Sequence, residues 1–451
     1  MPYYRRIVDS VLLEWKSQKV RKPLLLRGAR QVGKSSAVRE LGKSFRYFVE
    51  VNLEKQPSLR SLFTEDIDVK ATCEKISGTL STPIVPGETL LFIDEIQVCR
   101  EAIMALRYFK EDYPELHVIA AGSLLEFALN ELPSFAVGRI RSIYMYPFSF
   151  DEFLLAQGLD LGVDFKRRAG RGAPLNESAH RMMVEQLRTF YLVGGMPAAV
   201  AEWCESRSYI EVGRIHNDVI GAYQDDFAKY RKRVSPVLLR QVLRSVALQA
   251  GGKFVYSSVD ADLRASVVKD ALNLLVLAGL VVPVKHTDAN GVPLGAEEND
   301  KYVKYLFFDL GVMLTLLGIP AADILLASEV DLVNRGGVSE MFAGLELLKY
   351  QDCFQRSELH YWQSVSKNGQ AEIDYLMTRR GVVLPIEVKA NTKGSMQSLW
   401  RFMQLRNLHE AIRTSLENFG EFYYQDPANG ETRHVETVPL YAVSSLLQTA
   451  E

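Results

Sequence analysis

The chain has few cysteines and no excess of either charge, and these two deficits exclude several classes of protein. Four cysteines occur in 451 residues, far apart in sequence: Cys73, Cys99, Cys204 and Cys353. No CxxC pair is present, so neither a thiolate zinc site nor a disulfide framework is indicated, and a reducing cytoplasm is the expected location. The 53 basic and 55 acidic residues give a formal net charge of −2. The chain as a whole therefore lacks the basic excess that favours nucleic-acid binding.

Long hydrophobic runs are absent as well. The most apolar stretch, 271–284, is shorter than the ~18 residues that a membrane span needs, and no membrane segment is predicted. The first residues, MPYYRRIVDSVLLEW, are too polar for a signal peptide. Hydrophobic residues nevertheless make up 47% of the chain and charged residues 24%, as is typical of a globular protein. The length predicts two to four domains.

A hydrophobic run, a glycine-bearing turn, a lysine and two serines follow one another in 24–37, LLLRGARQVGKSSA. The segment 28–35 has the GxxxxGK[ST] spacing of a P-loop, with a predicted strand before it and a helix after it. Glycines let a backbone wrap around phosphate oxygens, and the N-terminus of the helix attracts an anion. An ordinary glycine turn is the alternative, but it leaves the full spacing unexplained. The predicted nucleotide-binding residues are Gly28, Ala29, Arg30, Gln31, Val32, Gly33, Lys34, Ser35 and Ser36.

Acidic residues follow the next buried run, TLLFI at 89–93. In a parallel α/β sheet ligands bind at the carboxyl ends of strands, so Asp94 is expected beside Ser35 and Mg²⁺. Glu95 is expected to polarise the attacking water as a general base. Lys34 would reach the β- and γ-phosphates of ATP, and the hydroxyl of Ser35 would bind the metal. ATP and Mg²⁺ are therefore the predicted cofactors.

Two further residues have two open interpretations each. Ser123 follows the apolar run at 116–121, where a small polar side chain can contact the γ-phosphate or the attacking water. Alternatively, Gly122 and Ser123 form a turn that caps the next helix. Arg139 could act as an arginine finger on the nucleotide of a neighbouring subunit. Alternatively, it is a surface arginine.

Alternating apolar strands and helices in 20–146 predict an α/β fold, with a parallel sheet covered by helices on both faces. We expect a P-loop ATPase core at 1–147 and a helical domain at 148–234, which the family resemblance described below implies to be a lid. Two helices and a β-hairpin follow in 235–310, an order typical of a winged helix. Its recognition-helix candidate is poor in base-reading side chains and its wing is acidic, so protein contact is as well supported as DNA reading. Residues 311–451 form the predicted C-terminal domain.

The C-terminal domain contains a second set of candidate catalytic residues. Strands are predicted at 371–377, with Asp374, and at 382–390, with Glu387 and Lys389. Residues i and i+2 of a strand point to the same face, so Glu387 and Lys389 face Asp374 if the two strands pair. Two carboxylates can bind Mg²⁺ and a lysine can orient a water, as in metal-assisted phosphodiester hydrolysis. A cross-strand salt-bridge set is the alternative, and the spacing alone leaves the choice open.

Together these residues resemble a family of prokaryotic ATP-binding proteins. Its members have an N-terminal AAA-type ATPase domain followed by a C-terminal domain of formerly unknown function. The resemblance covers nearly the whole chain and is most specific in its N-terminal part. The matching segments are GxRQxGKS at 28–35, Asp94-Glu95-Ile96-Gln97, Gly122-Ser123, Gly138-Arg139, Pro147-Phe148-Ser149-Phe150 and Gly194-Gly195-x-Pro197.

The resemblance implies an AAA+ core, a helical lid, a winged helix and a C-terminal part similar to the PD-(D/E)XK nuclease fold. Ile373-Asp374 stands where the nuclease pattern has Pro-Asp, so the carboxylate is kept. A homo-oligomer is also implied, because AAA-type nucleotide sites usually lie between subunits. The implied nuclease-like residues are Asp374, Glu387 and Lys389 as catalytic groups, with Glu340, Asp374 and Glu387 as metal ligands.

Two interpretations of function follow. The first is a cytoplasmic, Mg²⁺-dependent ATPase whose cycle controls a DNA-directed C-terminal effector, with Mg²⁺-dependent cleavage as its output. The second is an ATP-dependent switch that binds nucleic acid or a partner protein through a nuclease-like scaffold that does not cleave. The complete set of Asp374, Glu387 and Lys389 favours the first, whereas the near-neutral charge and the acidic wing favour the second. A kinase has weak support, because no acceptor site is visible.

Overall fold

The computed structural model describes residues 2–63, 67–123, 125–130, 138–230, 234–319, 321, 335–364, 371–390, 395–426 and 430–447. The chain divides into two units. The first unit comprises Met1–Phe148 together with Leu277–Gly279 and Asp352–Arg356. The second comprises Ser149–Val276, Leu280–Gln351 and Ser357–Glu451. The division falls beside the predicted end of the ATPase core, while the finer four-part division stays a prediction.

The first unit alternates strands and helices. Its helices are α1 (Ile7–Ser17), α2 (Lys34–Gly42), α3 (Val69–Leu80), α4 (Arg100–Asp112) and α5 (Leu125–Asn130). Its strands are β1 (Leu24–Arg27), β2 (Tyr47–Asn52), β3 (Thr89–Asp94), β4 (His117–Ala121) and β5 (Arg141–Tyr144). All residues of β3 and β4 are buried, as are the three leucines of β1. Such continuous burial is expected of parallel strands that helices cover on both faces.

The strands of the first unit form one parallel sheet in the order β2-β3-β4-β1-β5. The predicted α/β fold with a parallel-sheet core is therefore confirmed. Because the strands run in the same direction, their carboxyl ends share one edge of the sheet. Strand β4 lies between β1 and β3, so the residue that follows β4 lies between the P-loop and the acidic pair. This order brings three separate sequence segments to one place.

Helices dominate the first half of the second unit. They are α6 (Phe150–Ala156), α7 (Asp160–Arg168), α8 (Glu177–Val193), α9 (Pro197–Ser206), α10 (Tyr209–Asp226), α11 (Pro236–Leu248), α12 (Ala265–Leu277) and α13 (Leu310–Leu316). Two more helices, α14 (Arg335–Lys349) and α15 (Gln397–Leu405), lie in the second half. Helix α6 begins with a capping box. The Ser149 side chain accepts a hydrogen bond from the Glu152 backbone N–H, and the Glu152 side chain accepts one from the Ser149 backbone N–H. None of the helices in the described ranges is both long and apolar enough to cross a membrane.

The second unit contains one mixed sheet of eight strands. These are β6 (Val281–Thr287), β7 (Glu298–Phe307), β8 (Leu359–Gln363), β9 (Glu372–Arg379), β10 (Val382–Val388), β11 (Glu410–Ser415), β12 (Gly420–Gln425) and β13 (Thr432–Pro439). Their order is β12-β13-β11-β10-β9-β8-β6-β7. Strands β9 and β10 pair antiparallel, as the sequence predicted. A buried cluster that includes Trp362, Phe402 and Val435 packs on this sheet.

The hairpin that the sequence assigned to a winged helix consists of β6 and β7. Strand β6 also pairs in parallel with β8, so the hairpin is continuous with the C-terminal strands. The boundary expected at 310 therefore cuts through a sheet. A period-two pattern identifies a strand but contains no information about the strand's second neighbour, which explains why the sequence missed this pairing. The winged-helix assignment itself stays a prediction.

The Gly194-Gly195-x-Pro197 motif connects α8 to α9 and has a structural role. Gly194 has φ 65° and ψ −167°, a region that essentially only glycine adopts. A Cβ at this position would lie 2.2 Å from Oδ1 of Asp309. The same carboxylate accepts a hydrogen bond of 2.6 Å from the Gly195 backbone N–H and caps α13 at the Val312 N–H. The motif therefore lets a buried carboxylate approach the turn.

His117, the first residue of β4, is buried in a neutral form. Its ring packs edge-on against Trp15 and Phe45, with centroids 5.5 and 4.8 Å away. The Nε2–H group donates to the Lys16 carbonyl at 3.1 Å, and Nδ1 is buried without a hydrogen-bond partner. Burial lowers the pKa of His117 to about 4.

The stability of the chain is expected to fall as the pH decreases from 6.5 towards 5 because of His117. The unfolded chain binds a proton near pH 6.5, whereas the folded ring stays neutral down to about pH 4, so protonation favours the unfolded state. The slope is at most about 1.4 kcal/mol per pH unit, since nearby water reduces it. Unfolding midpoints measured between pH 7 and 5 test this. His117→Phe should flatten the curve, and the exposed His409→Phe should not. Equal slopes in all three proteins would contradict the assignment.

Candidate active site

The loop between β1 and α2 has the backbone that phosphate binding requires. Gly28, Gln31 and Gly33 have φ values of 137°, 65° and 95°. A Cβ on Gly28 would lie 2.1 Å from the Met145 carbonyl oxygen, so only glycine fits there. Helix α2 begins directly after Gly33, and its first backbone N–H groups are available to an anion. Residues 28–36 thus form a turn and a helix N-terminus, as predicted.

Lys34 points back into this loop. Its ammonium donates to the Gly28 and Ala29 carbonyls at 2.9 and 2.7 Å. Burial lowers the pKa of Lys34 to about 8, although the nearby carboxylates of Glu95 and Asp94 oppose the shift. The ammonium is therefore held within the phosphate loop before any anion arrives. An incoming phosphate would give the ammonium a charged partner in place of two neutral carbonyls.

Ser35 and Asp94 meet at the end of β3. The Ser35 Oγ lies 3.1 Å from both carboxylate oxygens of Asp94. Asn52 ends the neighbouring β2 in register with Asp94 and donates from Nδ2 to Oδ2 at 3.2 Å. Burial and the adjacent Glu95 raise the pKa of Asp94. A hydroxyl beside a buried carboxylate that lacks a full cationic partner is an oxygen donor set that fits Mg²⁺.

A surface ion pair lies on the outer side of Asp94. Arg39 of α2 donates to both carboxylate oxygens of Glu50, at 2.9 and 2.7 Å. The Arg39 guanidinium is 3.9 Å from Asp94, too far for a hydrogen bond. The Glu50 carboxylate is therefore paired with Arg39.

Glu95 is positioned by two polar side chains. Its backbone is left-handed, with φ 51°. Gln97 donates from Nε2 to Glu95 Oε2 at 2.6 Å, and the Ser123 hydroxyl lies 3.2 Å from the same oxygen. Gly122 leaves room for this arrangement, because a Cβ there would lie 2.2 Å from Gln97 Oε1. Of the two interpretations of Ser123, the one that places it at the site agrees with this contact.

Arg6 supports the loop on the side that faces the N-terminal segment, and no sequence pattern indicated this contact. Its guanidinium donates to the Val32 carbonyl at 2.9 Å and to the Tyr146 carbonyl at 2.8 Å. The same group lies over the Phe148 ring, 4.1 Å from the centroid. Arg6 is only 7% exposed. These contacts fix the far side of the loop to the N-terminal segment of the unit.

Arg139 does not join this group of residues. Its guanidinium forms an ion pair with Glu111 of α4, close to Arg107. Both pair members are partly exposed, so the ion pair contributes little to stability. The arginine-finger role concerns the nucleotide of a neighbouring subunit and stays a prediction.

A second acidic group lies in the second unit. Glu340 of α14 and Glu372 and Asp374 of β9 each place a carboxylate oxygen so that all three lie within 4.8 Å of one another. The sequence predicted Glu340 and Asp374 but not Glu372. We call these three residues the acidic cluster. Burial raises the pKa of Glu340 to about 8, and Asp374 adds to the shift while Lys304 opposes it.

Lys304 of β7 reaches into the acidic cluster and was also missed. Its ammonium donates to Glu340 Oε1 at 2.7 Å and forms a second, closer ion pair with Glu372. Burial would lower the pKa of Lys304, but the three carboxylates outweigh burial and raise it. Glu340, one of the predicted metal ligands, therefore already pairs with a cation that belongs to the chain.

Glu387 and Lys389 pair with each other rather than with the acidic cluster. The Lys389 ammonium lies 2.5 Å from Glu387 Oε1, and Glu387 Oε2 is buried without a hydrogen-bond partner. Burial and Asp374 raise the pKa of Glu387 to about 8. Asp374 itself accepts a hydrogen bond of 2.7 Å from the Val388 backbone. The four predicted residues therefore belong to two groups. Glu387 pairs with Lys389, whereas Glu340 and Asp374 belong to the acidic cluster.

The first unit matches a known family model. Residues 20–154 match the model of an AAA domain. Residues 20–154 are therefore of the AAA type. Two further segments match domains of unknown function, DUF8612 at 184–323 and DUF4143 at 335–430. No curated protein matches the chain.

The solved structures to which the chain is similar are distant from it. The Walker-type ATPase PABY2304 of Pyrococcus abyssi is 17% identical, with 70% of this chain and 96% of that chain covered and a TM-score of 0.44. The Orc1 protein of Aeropyrum pernix, solved in complex with DNA, is 13% identical, with coverages of 72% and 95% and a TM-score of 0.29. The Hsp104–ADP complex of S. cerevisiae is 15% identical, with coverages of 61% and 39% and a TM-score of 0.29. Similarities this distant do not indicate a function.

Proposed function

We propose that the first unit hydrolyses ATP with the help of Mg²⁺. The observation that carries this proposal is the position of Glu95 next to the Ser35–Asp94 pair. Gln97 and Ser123 both hydrogen-bond to Glu95 Oε2 and so orient its carboxylate. A passive nucleotide holder needs a phosphate loop but no oriented carboxylate beside it. A carboxylate with one free oxygen at that position is suited to accept a proton from water.

Each residue of the site has a distinct proposed role. The backbone N–H groups of the loop and the Lys34 ammonium bind the phosphates and stabilise the charge that develops during transfer. Glu95 takes the proton of the attacking water, while Gln97 and Ser123 keep its carboxylate in place. Ser35 and Asp94 would hold Mg²⁺, which would supply positive charge to offset that of the phosphates.

The second unit is, in our proposal, an effector that the ATP cycle controls and that does not cleave nucleic acid. The support is that Glu340 and Asp374 share their cluster with the Lys304 ammonium, so these residues do not fit a divalent ion. The alternative is a nuclease. Mg²⁺-dependent DNA cleavage that Asp374→Ala removes would reverse this choice. DNA and a protein both stay candidate partners of the effector.

A homo-oligomer is part of the proposal, because the arginine-finger role of Arg139 needs a neighbouring nucleotide site. The Glu111 ion pair would have to open for Arg139 to reach it, which an exposed pair permits at little cost. Higher turnover per chain at higher protein concentration would support this arrangement.

Replacing Glu95 with glutamine is expected to lower ATP turnover about a hundredfold or more while ATP still binds. Glutamine keeps the shape and the contacts to Gln97 and Ser123 but cannot accept the proton. Single-turnover hydrolysis and the affinity for a fluorescent ATP analogue measure the two effects separately. The exposed Glu54→Gln is a matched control that removes the same charge from the end of β2, and it should hydrolyse normally. Turnover within a few-fold of wild type in Glu95→Gln would exclude the general-base role.

A further inference from the structure

The acidic cluster has the geometry of a cation site. Glu340 and Glu372 approach from α14 and β9, and Tyr375 donates from its hydroxyl to the Glu340 carbonyl at 2.8 Å, which fixes the helix against the strand. Glu340 is buried, and Asp374 lies beside it at partial burial. Carboxylates confined in this way require a positive charge nearby.

Lys304 supplies that charge from within the chain. It is 2% exposed, and its ammonium contacts a carboxylate from each of the two elements, Glu340 and Glu372. The Lys304 ammonium also lies over the Tyr361 ring, 4.9 Å from its centroid. Two carboxylates and an aromatic face therefore contact the ammonium, and together they suit a monovalent cation.

A divalent ion would need the same place. Mg²⁺ and Mn²⁺ bind carboxylate oxygens at close to 2 Å, which is shorter than the 2.7 Å contact between Nζ and Glu340 Oε1. An ion bound to both Glu340 and Glu372 would therefore overlap the ammonium or repel it at short range. Lysine and metal exclude each other in this cluster.

We propose that Lys304 is a built-in counter-ion that occupies the cation position of the acidic cluster and excludes divalent metal from it. Without the ammonium, the same three carboxylates become a divalent-cation site. The proposal deepens the non-cleaving role of the second unit, on which it rests, because it names the residue that keeps the cluster free of metal. The acidic cluster also differs from the ligand set predicted from the sequence, because Glu372 takes the place of Glu387.

The test counts the Mn²⁺ ions bound by each full-length variant without nucleotide, from the electron paramagnetic resonance signal of free Mn²⁺. All variants contain Asp94→Asn, so that the nucleotide site does not contribute. Lys304→Met keeps the side-chain length but removes the charge, and it should bind one additional ion. Adding Glu372→Gln to Lys304→Met should remove that ion again.

Two results would overturn the proposal: a folded Lys304→Met protein that binds no additional ion, or the loss of one ion in Glu372→Gln alone. Circular dichroism establishes whether Lys304→Met is folded. A second comparison does not depend on that variant. Glu372 is 37% exposed, so Glu372→Gln alone should fold, and it should bind as many ions as its parent. Loss of one ion in Glu372→Gln would mean that the parent cluster already holds a metal.

The ion counts are independent of the proposed function. ATP turnover by the wild-type chain tests the first unit, and DNA cleavage removed by Asp374→Ala tests the non-cleaving role. A failure of either is therefore distinguishable from an unexpected Mn²⁺ count.

Discussion

Lys34→Ala is expected to lower ATP hydrolysis on the order of 10³-fold and to weaken nucleotide binding. The ammonium lies inside the loop on the Gly28 and Ala29 carbonyls, so it is already placed where the phosphates arrive. Removing a charged donor from a water-poor phosphate site costs about 4 kcal/mol of transition-state stabilisation. Steady-state hydrolysis and the affinity for a fluorescent ATP analogue are the measurements.

Lys43→Ala is the matched control for this prediction. Lys43 follows α2, its side chain is 72% exposed, and it pairs only with the neighbouring Glu40 among the ion pairs of the described residues. The substitution removes the same charge from the same segment and should leave hydrolysis unchanged. Turnover near the wild-type rate in Lys34→Ala would refute the assignment of this loop to phosphate binding. Loss of activity in both variants would point to the net charge of the segment instead.

Gly194→Ala is expected to destabilise the second unit by about 3–5 kcal/mol. Two effects add up. The φ and ψ values of 65° and −167° are strained for any residue with a Cβ, at roughly 1–3 kcal/mol. The new methyl group would also lie 2.2 Å from the Asp309 carboxylate and push it away from the Gly195 N–H, at about 1.5–3 kcal/mol for a hydrogen bond to a charged group.

Gly213→Ala makes the same chemical change where the structure tolerates it. Gly213 lies within α10, and among the described residues no atom beyond its chain neighbours and the adjacent helix backbone lies within 4 Å of a Cβ built there. Alanine in a helix interior is favoured over glycine by about 1 kcal/mol, so this variant should be slightly stabilised. Urea unfolding of both variants gives opposite signs if the account of Gly194 is correct. Equal midpoints would show that the turn can relax without loss of stability.

The nucleotide site was predictable because its signals are local. The loop is encoded by eight consecutive residues, and Asp94-Glu95 directly ends a buried run. Each of these segments needs only the rule that parallel strands share one carboxyl edge to be placed in space. The sheet then brings Ser123 to the Glu95 carboxylate, while its role at the nucleotide stays a prediction.

The contacts that the sequence missed join distant segments. Arg6 reaches Val32, and Lys304 reaches Glu340, although no pattern near either basic residue indicates its partner. Glu372 is different, because a usable signal was present. The rule that i and i+2 share a strand face, which paired Glu387 with Lys389, also places Glu372 on the face of Asp374.

Arg6 has a practical consequence for anyone who isolates the ATPase. The family match begins at residue 20, after the whole of α1. A fragment cut at that boundary would lose the guanidinium that holds the Val32 and Tyr146 carbonyls, and also the Trp15 ring that covers His117. Such a fragment would remove the Arg6 donor from the buried Val32 carbonyl and open one side of the core. An inactive or insoluble fragment of this kind would report on the choice of boundary and not on the chemistry of the phosphate loop.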